Sequence, residues 1–218
     1  MYSLKLYYDT LAPGAKAEYI EAQHSVCYVL TGSAVINDQK VGADECVYCQ
    51  DYVLEEAGPE GCVIWRWELE RTAEKRHTAE GEGVESVMRM AREVGMFKLV
   101  PTGQWMFRLD CIYDCAGSTG LHSHPGSGIR SMVEGHMKVE SSVGENSDNN
   151  GCGAVWYEEG AYPVVSTVEP GTTCRFMRCM VMPAEYMECT SESPNWIEGA
   201  KAVQSSWKGY FQKVVTLR

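Results

Sequence analysis

The stretch LHSHPGSG, residues 121–128, sets two of the chain's five histidines one residue apart. On a strand, side chains at i and i+2 leave the same face, so the imidazoles of His122 and His124 aim into one interior. Two neutral imidazoles on one face are what a divalent transition metal (iron, manganese, nickel or zinc) takes from a protein. Two ligands do not hold such an ion tightly, so a third would come from another strand. The candidates are Glu158, Glu159, Glu169, Asp110, Asp114, Tyr162 and His136. A carboxylate from the 158–159 pair would give two histidines and one carboxylate, with positions left open for substrate or oxygen. His136 follows the turn at Gly135, at the far end of its expected hairpin, and is the poorest candidate. Without a metal, the pair serves as acid/base or binding groups, or as structural histidines.

Arg130 is the second residue with chemistry to offer. Counting in steps of two from Gly128, Arg130 and Met132 share a face. A guanidinium inside a fold needs an anion, which is either a substrate carboxylate or the side chain of Glu158 or Glu159. Tyr113, Trp156, Tyr157, Tyr162, Phe176 and Met180 would line or plug the same interior, although core packing is the ordinary use of such side chains. The expected site therefore has His122 and His124 as metal ligands. Arg130, Tyr162 and Glu158 are its catalytic groups. Arg130, Tyr113, Trp156 and Phe176 are its substrate contacts. Arg108 and Asp110 alternate with Phe107 and Leu109, so one of those two sets faces inward. Gly126 and Gly128 read as turn residues. His77 sits in a polar connector and is expected to be solvated.

These residues must be positioned by strands. Runs such as HSVCYVLTGSAVI (24–36, two strands around Thr31-Gly32), ECVYC (45–49), CVIWRWELE (62–70), WMFRLDCIYDC (105–115), GAVWYEEG (153–160), PVVSTV (163–168) and TCRFMRCMVM (173–182) are β-branched or aromatic and bounded by turn residues. GIRSMVEGHMKVES (128–141) reads as a hairpin around Glu134-Gly135, GENSDNNG (144–151) as a turn, and KGYFQKVVTL (208–217) as a last strand. Val84, Val87, Met88 and Ala91 fall at helical spacing before Gly95, which predicts one helix over 83–94.

The chain has 218 residues, 44% of them hydrophobic, enough for one large core or two small ones. A net charge of −11 repels phosphate backbones and argues against general nucleic-acid binding. No apolar run is long enough to span a membrane, and MYSLKLYYDT lacks the apolar core of a signal peptide, so a cytoplasmic setting is expected. The ten cysteines are then reduced and mostly buried as small hydrophobes, including Cys27, Cys46, Cys174 and Cys179. The spacing of Cys46 and Cys49 is that of a CxxC, but no second pair stands at zinc-ribbon distance. No serine-hydrolase elbow, phosphate-binding loop or dinucleotide glycine pattern is present.

The two halves echo each other. YVLTGSAVI (28–36) matches SMVEGHMKV (131–139), VGADECVYCQD (41–51) matches GCGAVWYEEG (151–160), and GCVIWRWELE (61–70) matches TTCRFMRCMV (172–181). A repeat of roughly a hundred residues built from strands and tight turns argues for a duplicated β-barrel. With Gly117, His122, His124 and Gly135 in the frame of a first motif, and GAVWYEEGAYP with Gly160 in the frame of a second, the chain resembles the cupin superfamily, as a small bicupin.

That resemblance implies an all-β fold of two tandem jelly-roll barrels joined by a short helical connector. The expected boundaries are 1–75 for a degenerate first barrel, 76–98 for the connector, and 99–218 for the barrel with the site. It implies metal-assisted oxygenase, isomerase, lyase or decarboxylase chemistry on a small, carboxylated molecule. The alternative is a non-catalytic binding or sensing barrel that has lost part of its metal site. The departures favour the alternative, the retained histidine pair favours the enzyme, and the enzyme is the preferred reading. The family's glutamate position holds Ser127 or Gly128, and its last histidine position falls near Pro163. In the first half the corresponding positions fall near Tyr19, Glu21, His24 or Ser25, and Leu54, which implies a metal-free, structural or dimerising copy. Sheet edges that invite strand addition make a homodimer the expected assembly.

Overall fold

In the computed structural model, residues 2–71, 77–94, 100, 102–143, 146–186, 195–197 and 205–217 are described. The chain divides into two units, Met1–Glu93 and Val94–Arg218. The first is built from β1 (Tyr2–Leu11), β2 (Ile20–Ile36), β3 (Gln39–Gly42), β4 (Glu45–Val53), β5 (Glu55–Arg71) and β6 (Val84–Glu93). β5 lies between β1 and β2, with β6 outside β1. β2 pairs with β4 up to Val29 and with β3 from Ser33 onward, turning between them at Thr31-Gly32. The two strands expected over 24–36 are therefore one long bent strand. Gly32 has φ +77°, and a Cβ there would lie 2.0 Å from the Gly61 carbonyl oxygen. Only glycine permits the bend with β5 so close.

The helix expected over 83–94 is instead the edge strand β6, antiparallel to β1. Val84, Ser86, Met88 and Met90 are half-buried while Glu85, Val87 and Arg89 are exposed, a period of two. Val84 and Met88 satisfy both periods, and the unpaired side of β1 decides between them. The first unit thus runs on through Glu93. No helix among the described residues is long and apolar enough to cross a membrane.

The second unit repeats this plan. It holds β7 (Gln104–Ser118), β8 (His122–Ser123), β9 (Ser127–Glu134), β10 (His136–Ser141), β11 (Ser147–Asn150), β12 (Val155–Glu158), β13 (Val164–Pro183), β14 (Asn195–Trp196) and β15 (Ser205–Thr216), with one 3-10 turn at Ala184–Tyr186. β13 takes the place of β5, between β7 and β9, and β15 flanks β7 as β6 flanks β1. The expected hairpin around Gly135 does not form. β9 pairs with β12 and β13, whereas β10 pairs with β11 and the other half of β13. Part of the tract expected as a turn, Ser147–Asn150, is β11. PVVSTV and TCRFMRCMVM are one strand with a register shift between Val168 and Thr173. The tail strand forms as expected, on β7.

Each interior has an apolar end. In the first unit it holds Val29, Ile36, Val53 and Ile64, and in the second Met132, Val139, Trp156 and Phe176. Charged residues adjoin the apolar part of each interior, as Trp156 adjoins Arg130 and Glu158 and Cys27 adjoins Arg66, and the candidate sites lie there. Among the described residues eight cysteines are outside any disulfide, most of them buried. The side chains of Asp114 and Cys115, and all of Cys189, lie outside the described residues.

Candidate functional site

The register of the second unit puts one line of charges across its interior. Asp110 on β7 faces Arg178 on β13, and Arg178 faces Arg130 on β9. β12 lies beyond β9 and brings Glu158 beside Gly128. The order is carboxylate, guanidinium, guanidinium, carboxylate. Arg178 donates from Nε and Nη2 to the two oxygens of Asp110 at 2.9 and 3.0 Å. Arg130 Nη2 lies 2.8 Å from Glu158 Oε2, and its Nη1 donates to the Gly128 carbonyl at 2.6 Å. Arg108 adds a third guanidinium, with Nε 2.8 Å from Asp110 Oδ2. All five side chains are buried. Among the described residues of this row three cations stand with two carboxylates, and two of the guanidiniums, those of Arg130 and Arg178, face each other mid-row.

Arg108 and Asp110 thus share the inner face. Phe107 and Leu109 are on the other face, as the alternation predicts, and are buried as well. Phe107 packs edge-on against Phe211 at 5.8 Å.

β8 and the residue after it bring the histidine pair to the same end. The rings of His122 and His124 meet at 83° with centroids 4.9 Å apart. His122 Nδ1 lies 3.0 Å from the Gly120 carbonyl. A carbonyl only accepts, so Nδ1 carries the proton and Nε2 the lone pair. His124 Nε2 lies 3.1 Å from Glu158 Oε2. Its Nδ1 is buried without a hydrogen-bond partner among the described residues.

Burial, against the opposing pull of Glu158, pushes the His124 imidazole down to about 4. Burial lowers His122 too, over the opposing Gly120 carbonyl and Glu158. Burial works to raise the Glu158 carboxyl, but the Arg130 guanidinium and the His124 and Trp156 hydrogen bonds hold it well below the usual carboxylate range. The site at neutral pH is therefore an ionised Glu158 beside two neutral imidazoles. The proton of His124 sits on Nε2, facing the carboxylate, which leaves a lone pair on the unpartnered Nδ1.

Of the other expected residues, Trp156 belongs to the cluster. Its Nε1 donates to Glu158 Oε1 at 2.8 Å, and its ring packs on Phe176 at 5.2 Å. Phe176 is part of the apolar floor. Tyr113 does not face this interior. It pairs with Arg175 on the opposite face, where the guanidinium lies 5.3 Å from its ring. Tyr162 is on the loop after β12, 40% exposed and outside the buried cluster. His136 is on the other part of the barrel, against Asp148. Asp110 is committed to two arginines.

Gly128, one of the two positions at which the cupin resemblance implies a glutamate, has no room for a side chain. A Cβ there would lie 2.4 Å from the Cys179 carbonyl oxygen and 2.9 Å from Met180 Cγ. Its φ is not in the left-handed region, so close approach to β13 is its reason, not turn chemistry. Gly126 is pressed against Val181 and Met182 in the same way.

Among the described residues, one trio of His, Cys, Asp or Glu brings its ligand atoms within 4.8 Å of one another, and it is Glu68, Glu70 and His77 in the first unit. His122, His124 and Glu158 do not close to that distance. The orphaned Nδ1 of His124 fits a cation ligand. The third ligand does not, because Glu158 already serves Arg130, His124 and Trp156.

The same register shows what the first unit holds at the corresponding positions. Cys27 faces Arg66 on β5 as Arg130 faces Arg178 on β13. Cys49 lies beside Ser25 as Glu158 lies beside Gly128. Two thiols stand where the second unit has its arginine–glutamate pair. Sequence reasoning passed over Glu68 and Glu70. Their signal was three charges, Arg66, Glu68 and Glu70, at alternate positions of an otherwise apolar strand. His77, expected to be solvated, is 14% exposed and lies against both glutamates.

No family model matches the sequence, and no curated protein matches it. Solved structures do. Oxalate decarboxylase from Bacillus subtilis at pH 4.6 is 11% identical, with a TM-score of 0.58 over 82% of this chain and 68% of that one. AerE from Microcystis aeruginosa is 12% identical, with a TM-score of 0.54 over 83% of this chain and 87% of that one. Both are cupin-fold proteins, and at this identity the likeness is one of fold. The chain has the all-β cupin fold, with one jelly-roll barrel in each unit.

Proposed function

We propose that the second barrel binds a small carboxylated molecule. The observation that carries this reading is the buried charge row, in which the guanidinium-bearing Arg130 and Arg178 face each other on paired strands. Like charges held side by side in a low-dielectric interior are relieved by an anion placed between them. A planar carboxylate suits two guanidinium forks better than a spherical ion does. His122 and His124 add neutral nitrogen acceptors, and Trp156 and Phe176 supply an apolar wall. A neighbour in fold is named for oxalate, a small dicarboxylate, which supports the same ligand class.

The test is the unfolding temperature of the full chain with oxalate, malonate, succinate and citrate. One or more should raise it in the native protein. None should do so in Arg130→Met/Glu158→Met, which removes a cation with its own carboxylate. No shift with any of the four in the native protein ends the proposal.

A second reading is metal-assisted chemistry, as the resemblance implies. It is favoured by the lone pair on His124 Nδ1. His122 and His124 would hold the ion, which would supply Lewis-acid or oxygen-activating chemistry, and Glu158 with Arg130 would orient the molecule. The ion adds charge to an already cationic row, so it requires an anionic ligand in place. Elemental analysis of the native protein and of His122→Ala/His124→Ala separates the two readings. Metal lost in the double variant supports the second.

A further inference from the structure

The first barrel has a charged end of the opposite sign. On β5, Arg66, Glu68 and Glu70 face the interior while Trp65, Trp67 and Leu69 face away, and all six are buried. β1 adds Lys5 and Asp9, and the start of β5 adds Glu55. Arg66 donates from Nε to Asp9 Oδ2 at 2.7 Å and pairs with Glu68 Oε1. It also donates from Nη2 to the His77 carbonyl at 2.9 Å. Lys5 pairs with Glu70 Oε1. One oxygen of each glutamate is therefore held by a cation. The other turns toward the His77 ring, with Glu70 Oε2 3.3 Å and Glu68 Oε2 3.8 Å from Nδ1. Both Oε2 atoms are buried, on side chains with no exposed surface, and neither has a hydrogen-bond partner among the described residues. Both oxygens of buried Glu55 are in the same state, with Arg66 Nε 3.7 Å from its Oε1.

We infer that Glu68, Glu70 and His77 form a divalent-cation site in the first barrel, binding through Glu68 Oε2, Glu70 Oε2 and His77 Nδ1. Separations of 3.3 to 3.8 Å between ligand atoms suit bonds of about 2.0–2.2 Å to one shared ion. One imidazole with two carboxylates suits Mn2+, Fe2+ or Zn2+. The charge balance points the same way. Burial, with Asp9 beside it, pushes Glu55 up to about 8, so it is neutral at pH 7. Among the described residues Asp9, Glu68 and Glu70 then face Lys5 and Arg66, so the carboxylates outnumber the cations where desolvation makes the surplus costly, and a bound cation offsets it. Arg66 and Lys5 fix the carboxylates from behind, as outer partners of metal ligands do. Its ligands are on β5 and the segment after it, and none of them is Tyr19, Glu21, His24, Ser25 or Leu54, where the cupin resemblance would put first-barrel ligands. It does not depend on the function proposed for the second barrel.

The test uses the full chain, stripped with EDTA and titrated with MnCl2 by electron paramagnetic resonance and with ZnCl2 by calorimetry. The native protein and His122→Ala/His124→Ala should each bind one equivalent. His77→Gln and Glu68→Gln/Glu70→Gln should bind at least tenfold more weakly. His77→Gln leaves both carboxylate–cation pairs intact and is read if the double variant does not fold. Three results overturn the site: no ion bound by the native protein, unchanged binding in His77→Gln, or binding lost in His122→Ala/His124→Ala and kept in His77→Gln.

Discussion

At the scale of single residues, Glu158 does the most in the second barrel, because its two oxygens collect Arg130, His124 and Trp156. That arrangement has a pH signature. His124 is pushed down to about 4 in the folded chain, against an ordinary value of 6.5. The unfolded chain thus binds the proton first, and stability falls as pH drops from about 6.5 toward 4. Between pH 7 and pH 5 the loss from this one group is about 2 kcal/mol. Urea unfolding at the two pH values should show it in the native protein, and His124→Asn should lose most of the difference. An equal loss in the variant would mean that the imidazole is not held neutral. Arg130 is tested by a pair of variants. Arg130→Met strands a buried carboxylate and should cost roughly 3–5 kcal/mol, whereas Arg130→Met/Glu158→Met should recover most of that. A double variant no more stable than the single one would show that Glu158 does not need Arg130.

At the scale of elements, the strands that carry the sites are long and bent, and the bends depend on glycine. Gly135 has φ +92°, and a Cβ there would lie 2.3 Å from the Thr173 carbonyl oxygen. Gly135→Ala should therefore cost about 1–3 kcal/mol from backbone strain alone, and more from the clash. A midpoint in urea within error of the native protein would contradict this. These elements also show how far the sequence could be read. Period-two alternation put His122, His124 and Arg130 on inward faces, and the repeated glycines marked the duplication. The helix over 83–94 failed because Val84 and Met88 fit both periods, and the strand that claims them, β1, lies some eighty residues earlier in the chain. Tyr113 was misplaced because both faces of β7 are buried, so apolar character could not tell inside from outside. Glu68 and Glu70 were in view within WRWELE, but His77 meets them only after a connector whose path no local pattern specifies.

At the scale of the whole molecule, one duplicated plan carries two charge patterns. Cys27 and Cys49 replace the arginine–glutamate pair in the first barrel, and among the described buried residues carboxylates outnumber cations there, whereas guanidiniums outnumber carboxylates in the second. Cations and carboxylates should therefore stabilise the chain at separate places. The rise in unfolding temperature with saturating Mn2+ and that with the best carboxylate should add when both are present. A combined rise much larger than the sum would mean that metal and anion share a site, as the metal-assisted reading of the second barrel requires. Gly128 extends this contrast to the chain's descendants. One base change in a glycine codon can write glutamate, yet the Cys179 carbonyl already occupies the room that side chain would need. A glutamate there would take a simultaneous shift of the neighbouring backbone, which a single base change does not supply.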